Sequence, residues 1–179
     1  MKNDKQISKL LSLLLRHSPE TAHLNMDKEG WVSIDELCTN LRLYKGININ
    51  IETIRYIVET NDKQRFCISS CGKKIRANQG HSISVDLSFE VKVPPEILYH
   101  GTAECFVYSI MGSGIKAMTR QYVHLSSTEE TAITVGCRRG KPIVFKINAQ
   151  KMCEDGYKFY LSENKVWLTD FVPKEYISR

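Results

Sequence analysis

Val93-Pro94-Pro95-Glu96-Ile97-Leu98-Tyr99-His100-Gly101-Thr102 is the stretch on which the reading of this chain turns. Consecutive prolines continue neither a helix nor a central strand, because each lacks an amide hydrogen and holds φ fixed. Residues 97–100 behind them read as a strand, and the pattern on the two sides of the prolines differs. The boundary divides the chain into residues 1–92 and 93–179.

Ahead of the prolines the pattern is helical. Ile7, Leu10, Leu11 and Leu14 repeat at the spacing of one buried helix face, with Asn3 or Asp4 as the cap. Ser18-Pro19 stops this helix, since the residue before a proline avoids the helical region, so Arg16 and His17 fall on its last turn. Ser33-Ile34-Asp35-Glu36 is a capping box that starts a second helix ending near Leu41. A third begins near Asn50, turns Ile54, Ile57 and Val58 inward, and ends before Asn61-Asp62. Residues 65–69 alternate, with Phe66 and Ile68 on one face and Arg65, Cys67 and Ser69 on the other. Ser70-Cys71-Gly72 turns the chain and residues 73–77 return. Three short helices followed by a hairpin read as a winged-helix lobe.

Behind the prolines, strands are expected at 97–100, 122–126, 143–147, 157–161 and 165–169. Helices are expected at 105–111, closed by Gly112 and Gly114, and at 128–135. The predicted fold class is α+β, a helical lobe followed by a strand-dominated mixed lobe.

Composition narrows the function classes. With 42% hydrophobic and 25% charged residues in 179, the chain is an ordinary globular protein and not a disordered one. Its early apolar run, residues 10–15, is interrupted by Ser12 and ended by Arg16-His17. That is too short for a membrane span and lacks a signal-peptide cleavage site, so a cytoplasmic protein is expected. Cys67 and Cys71 have no second Cys or His pair at zinc-ligand spacing, so the six cysteines read as reduced thiols. The net charge of +5 is modest, but Lys63, Arg65, Lys73, Lys74 and Arg76 fall together with no acidic residue among them. Such a patch can neutralise phosphates, and a solvated basic hairpin fits the composition equally well.

Two segments carry polar side chains suited to a ligand. Gly101, between His100 and Thr102 at a strand end, lets a ligand approach the backbone. In Val123-His124-Leu125-Ser126, strand alternation places His124 and Ser126 on one face. Each signal alone is weak; a plain turn and a structural histidine account for them as well.

Taken together these segments resemble the ADP-ribosyltransferase fold, in which a strand-end histidine binds the NAD ribose and a third strand often supplies a glutamate. That third position here is Val166, in Asn164-Lys165-Val166-Trp167-Leu168-Thr169. A glutamate there generally serves transfer to protein acceptors. A phosphate is already anionic and needs no base, so the valine fits a phosphate nucleophile.

The whole chain is similar to the tRNA 2'-phosphotransferase family. The resemblance is carried by residues 8–17, by Gly30-Trp31-Val32, by Asn61-Asp62-Lys63-Gln64-Arg65-Phe66, and by Ile75-Arg76-Ala77-Asn78-Gln79-Gly80-His81-Ser82. It continues in Leu98-Tyr99-His100-Gly101-Thr102, Arg120-Gln121-Tyr122-Val123-His124-Leu125-Ser126 and Val166-Trp167-Leu168-Thr169-Asp170. Ser70-Cys71-Gly72 and Ile115 depart from the family's usual pattern.

The resemblance implies an N-terminal winged-helix lobe and a C-terminal ADP-ribosyltransferase-like lobe. It implies removal of an internal 2'-phosphate from RNA, with NAD consumed as co-substrate and no metal. The RNA phosphate attacks the nicotinamide ribose, giving an ADP-ribosylated phosphate. The ribose 2''-hydroxyl then attacks that phosphate, leaving 2'-hydroxyl RNA and ADP-ribose 1'',2''-cyclic phosphate. Arg16, His17, Arg65 and Arg120 are the implied phosphate grip, lying in a cleft between the lobes. His100, Gly101, Thr102, His124, Ser126 and Val166 are the implied NAD contacts, and Lys63 and Arg76 the RNA contacts. Arginine suits a phosphate dianion, being planar, bidentate and always charged. A monomer is expected. Two other readings stay open: an ADP-ribosyltransferase acting on nucleic-acid terminal phosphates or on protein, and a non-enzymatic winged-helix nucleic-acid binder.

Overall fold

The computed structural model describes residues 4–179, and of Arg139 the backbone only. The chain divides into two compact units, Met1–Ser88 and Phe89–Arg179.

The first unit opens with α1 (Asp4–Arg16). Its buried face is Ile7, Leu11, Leu14 and Leu15, while Leu10 is only partly covered. Asn3, one of the two expected caps, lies outside the described residues. β1 (Val32–Ser33) is a two-residue strand that the sequence pattern does not announce. α2 (Ile34–Lys45) runs a full turn beyond Leu41, to a left-handed Gly46. The expected capping box is half formed. Ser33 Oγ accepts the Glu36 amide at 3.4 Å, but the Glu36 carboxylate accepts the Asn25 amide and side chain at 2.8 Å. α3 (Ile51–Glu59) is capped by Asn50, whose Oδ1 accepts from the Thr53 amide at 2.9 Å.

β2 (Phe66–Ile68) and β3 (Lys74–Ala77) form the hairpin. Arg65 therefore stands just ahead of the first strand instead of on it. β1 pairs with the other edge of β3, giving a three-stranded antiparallel sheet in the order β1-β3-β2. One apolar cluster joins α1, α2, α3 and this sheet through Leu11, Leu14, Leu37, Leu41, Ile54, Phe66 and Ile75. Each such side chain contributes roughly 1.5–3 kcal/mol by leaving water.

The second unit is mainly strand. Residues ahead of the proline pair already pack in it: the Lys92 amide donates to the Phe159 carbonyl at 2.8 Å. β4 (Ile97–Ala103) extends three residues beyond His100. The expected helix at 105–111 begins as a 3-10 turn, Glu104–Phe106, and continues as α4 (Val107–Ser113). Gly112 lies inside that helix, and Gly114 alone ends it. Next come β5 (Ile115–Lys116), β6 (Val123–Leu125) and α5 (Glu129–Gly136). β7 (Pro142–Asn148) and α6 (Ala149–Glu154) follow. β8 (Tyr160–Leu161) and β9 (Trp167–Thr169) are both shorter than expected. The unit closes with β10 (Phe171–Val172) and β11 (Ile177–Ser178).

β11-β7-β4 and β6-β9-β8 are antiparallel sheets, and β10 pairs with β5. An antiparallel bridge between Tyr99 and Ser126 ties β4 to the end of β6 through amide–carbonyl bonds of 2.9 and 2.8 Å. Helix α5 lies so close to β4 that a Cβ on Gly101 would stand 1.7 Å from the Ala132 carbonyl oxygen. A Cβ on Gly136 would stand 2.8 Å from the Thr102 carbonyl. The architecture is α+β.

Candidate functional site

In the first unit the implied phosphate ligands gather where α1 ends. A groove of about 660 Å³ runs along this helix, lined by Arg16, Lys63 and Arg65 among others. Arg16 Nη2 reaches the Arg65 carbonyl at 3.5 Å. Arg65 is set by Asn61, whose Oδ1 accepts from both its amide, at 3.2 Å, and its Nη1, at 3.3 Å. Asn61 in turn donates to Ser8 Oγ on α1 at 3.1 Å. Two guanidinium groups thus share one groove, and each has the planar donor set that suits an oxyanion.

Residues 78–82 form a strap against this corner, and the sequence reading assigned them no individual role. Gly80, at φ +90°, lies under the Arg16 side chain, whose Nη1 would be 3.6 Å from a Cβ there. The Ser82 amide donates to the Arg16 carbonyl at 2.9 Å, satisfying an orphan acceptor at the helix end. Ser82 Oγ stands 2.9 Å from His17 Nδ1. Asn78 anchors the strap by donating to the Gln64 carbonyl at 2.7 Å.

His81 is buried, 1% exposed, and neither ring nitrogen meets a hydrogen-bond partner among the described residues. Burial, reinforced by the charges of Arg16, His17 and Arg76, pushes its pKa down to about 4, so the ring is neutral at physiological pH. Arg76 does not join the groove lining; its guanidinium stacks over the Trp31 ring, 4.5 Å from the centroid. The available signal was the polar run Asn78-Gln79-Gly80-His81-Ser82, which follows directly on the apolar strand end Ala77.

In the second unit His100, His124 and Arg120 form a chain. His100 Nδ1 lies 3.2 Å from the His124 carbonyl. A carbonyl only accepts, so Nδ1 carries the hydrogen and Nε2 of the neutral ring is an acceptor. Burial lowers the His100 pKa and so favours the neutral ring, while the bond to that carbonyl works in the opposite direction. Arg120 Nη1 approaches His124 Nδ1 at 3.3 Å, and because guanidinium only donates, Nδ1 of His124 is the acceptor. Val123 and Leu125 are buried beneath while His124 is half-exposed, the alternation a strand imposes. Ser126 lies one residue past β6, at the bridge to Tyr99.

Gly101 has a different structural reason from the one expected. The space its Cβ would fill is occupied by the α5 backbone, so the close approach is made by a helix. Val166 stands in the turn ahead of β9 and not on a strand; its amide donates to Ser162 Oγ at 3.0 Å. Among the described residues no helix is long and apolar enough to cross a membrane.

Comparison with known proteins identifies the family. The chain matches the family described as RNA 2'-phosphotransferase, Tpt1/KptA, over residues 2–171. A "Probable RNA 2'-phosphotransferase" of Flavobacterium johnsoniae is 52% identical over 176 residues, covering 97% of this chain and 94% of the relative. One from Acaryochloris marina is 52% identical over 172 residues, 96% and 94% of the two chains. One from Fusobacterium nucleatum is 49% identical over 178 residues, 99% of each. The chain belongs to the RNA 2'-phosphotransferase family and is an enzyme of that type.

Proposed function

We propose that the chain removes an internal 2'-phosphate from RNA and transfers it to NAD, which is consumed. An oxygen of the RNA phosphate bonds to the anomeric carbon of the nicotinamide ribose, while the carbon–nitrogen bond breaks and neutral nicotinamide leaves with the electron pair. The neighbouring 2''-hydroxyl then attacks phosphorus and gives up its proton. The RNA 2'-oxygen departs and is protonated, leaving 2'-hydroxyl RNA and ADP-ribose 1'',2''-cyclic phosphate.

The observation that carries the reading is the sharing of one groove by Arg16 and Arg65, with His17 adjacent in sequence and bonded to Ser82. These groups and Arg120 orient the phosphate as nucleophile and offset the charge that grows on its oxygens when phosphorus is attacked. The NAD half is supported by His100. Its Nε2 is an acceptor suited to a ribose hydroxyl, and Thr102, His124 and Ser126 add polar contacts from the same two strand ends. Val166 and Gly101 shape the pocket wall, and Lys63 and Arg76 meet RNA. In this reading the first unit is a winged helix and the second an ADP-ribosyltransferase-like fold.

The test is to incubate the protein with NAD and an oligoribonucleotide bearing one internal 2'-phosphate, in the presence of a metal chelator. Nicotinamide, dephosphorylated RNA and ADP-ribose cyclic phosphate are expected in equal amounts. Inorganic phosphate as the product would make the protein a phosphatase. An adduct that persists would make it an ADP-ribosyltransferase that stops after one step.

A further inference from the structure

The groove that holds Arg16 and Arg65 extends well past them, and the proposed chemistry leaves its far end without a task. It follows α1 back to its start, where Asp4, Lys5, Ser8, Lys9 and Ser12 line it. Lys5, Lys9, Ser12 and Arg16 succeed one another at intervals of four, three and four residues, which places them on one helix face. Ile7, Leu11, Leu14 and Leu15 are buried on the opposite side. From Lys5 to Arg16 the helix advances about 16 Å. At roughly 3.4 Å per stacked nucleotide, that is the length of some four to five nucleotides. Lys63 stands in the other wall, beside the Asn61 that fixes Arg65.

The lining holds five basic side chains, Lys5, Lys9, Arg16, Lys63 and Arg65, against two carboxylates, Asp4 and Asp62. The polar groups between them are short and anchored: Ser12 Oγ donates to the Ser8 carbonyl at 2.9 Å, and Ser8 Oγ accepts from Asn61. A long groove with spaced cations and small neutral hydroxyls suits a chain of phosphates better than one compact ligand.

We infer that the Lys5–Lys9–Ser12 face of α1, with Lys63 opposite, is a track for the RNA strand flanking the 2'-phosphate, reading its backbone and not its bases. The inference rests on the proposed use of Arg16 and Arg65 as the 2'-phosphate grip, which fixes one end of the strand in the groove. Lys5 and Lys9 then meet backbone phosphates successively farther from the reacting nucleotide.

The deciding measurement is equilibrium binding of a fluorescent twelve-nucleotide RNA with one central 2'-phosphate, without NAD, across a salt series. The K5E/K9E double variant is expected to bind on the order of tenfold or more weakly at low salt. Its log–log salt slope should be shallower by about 0.7 for each phosphate no longer neutralised. The same weakening is expected with twelve-nucleotide RNA lacking the 2'-phosphate, since the track reads only the backbone. A K28E/K45E variant changes the net charge equally elsewhere in the first unit and should bind near the wild-type level. Wild-type affinity in K5E/K9E, or an equal weakening in the control, would overturn the track. Turnover of a 2'-phosphorylated dinucleotide, too short to occupy the track, separately tests the proposed reaction.

Discussion

Ser82 Oγ and His17 Nδ1 lie 2.9 Å apart, although 65 residues separate them in the chain. This contact commits one nitrogen of the histidine ring and fixes its plane, while the Ser82 amide holds the Arg16 carbonyl at 2.9 Å. One residue of the strap thus steadies both members of the Arg16-His17 pair. Ser82→Ala is expected to lower kcat about tenfold with little change in unfolding temperature, because Ser82 is exposed. Ser82→Thr, which keeps the hydroxyl, should recover most of the activity. Equal activity of all three proteins would mean the ring is positioned by something else.

The grip itself makes the largest prediction. Alanine at Arg16, His17, Arg65 or Arg120 is expected to cut turnover by a factor on the order of 10² or more, the usual effect of removing a group that stabilises the transition state. Phosphorus is attacked only in the second step, so Arg65→Ala or Arg120→Ala should slow that step more and let ADP-ribosylated RNA accumulate. Val166→Ala should accumulate none. A time course resolved by gel or mass spectrometry reads this, and near-normal turnover in two of the four alanine variants would refute the assignment.

Two glycines should respond in opposite directions. Gly101→Ala drives a methyl group into the Ala132 carbonyl, 1.7 Å from where its Cβ would stand. The helix or strand must move, at a cost of ~3 kcal/mol or more. Gly112 lies within α4 with nothing inside 4 Å of its Cβ position. Gly112→Ala should stabilise by roughly 0.5–1 kcal/mol through helix propensity. Urea denaturation of both variants checks the pair.

Acid should weaken the fold through His81. Its ring is protonated near pH 6.5 in an unfolded chain but only near pH 4 in the fold. As pH falls the unfolded state takes up the proton first. The stability contribution is therefore complete above about 6.5 and is lost progressively down to about 4. The loss by pH 5.5 should be on the order of 1 kcal/mol. His100, also lowered by burial, adds a loss of the same sign. His81→Gln removes one of the two contributions, so its denaturation midpoint should fall less steeply between pH 6.5 and 5 than that of the wild type. Parallel slopes would show that His81 titrates normally.

The sequence by itself determined the helices of the first unit, its hairpin and most strands of the second. Those elements follow from local causes: apolar spacing along α1, a capping asparagine at Asn50, alternation around Phe66 and Val123. It also determined the chemical types at the candidate site, since a guanidinium at position 16 or 65 is charged in any fold. Tertiary structure alone decided how those groups are held. The Glu36 carboxylate leaves its own helix end for Asn25, because a distant partner was available. Gly101 is glycine because a helix some thirty residues later presses on it. Ser82 and Gly80 meet His17 and Arg16 across a loop that no periodicity describes. Periodicity and capping act over three or four residues, whereas hydrogen bonds and close packing form between whatever the completed chain brings together.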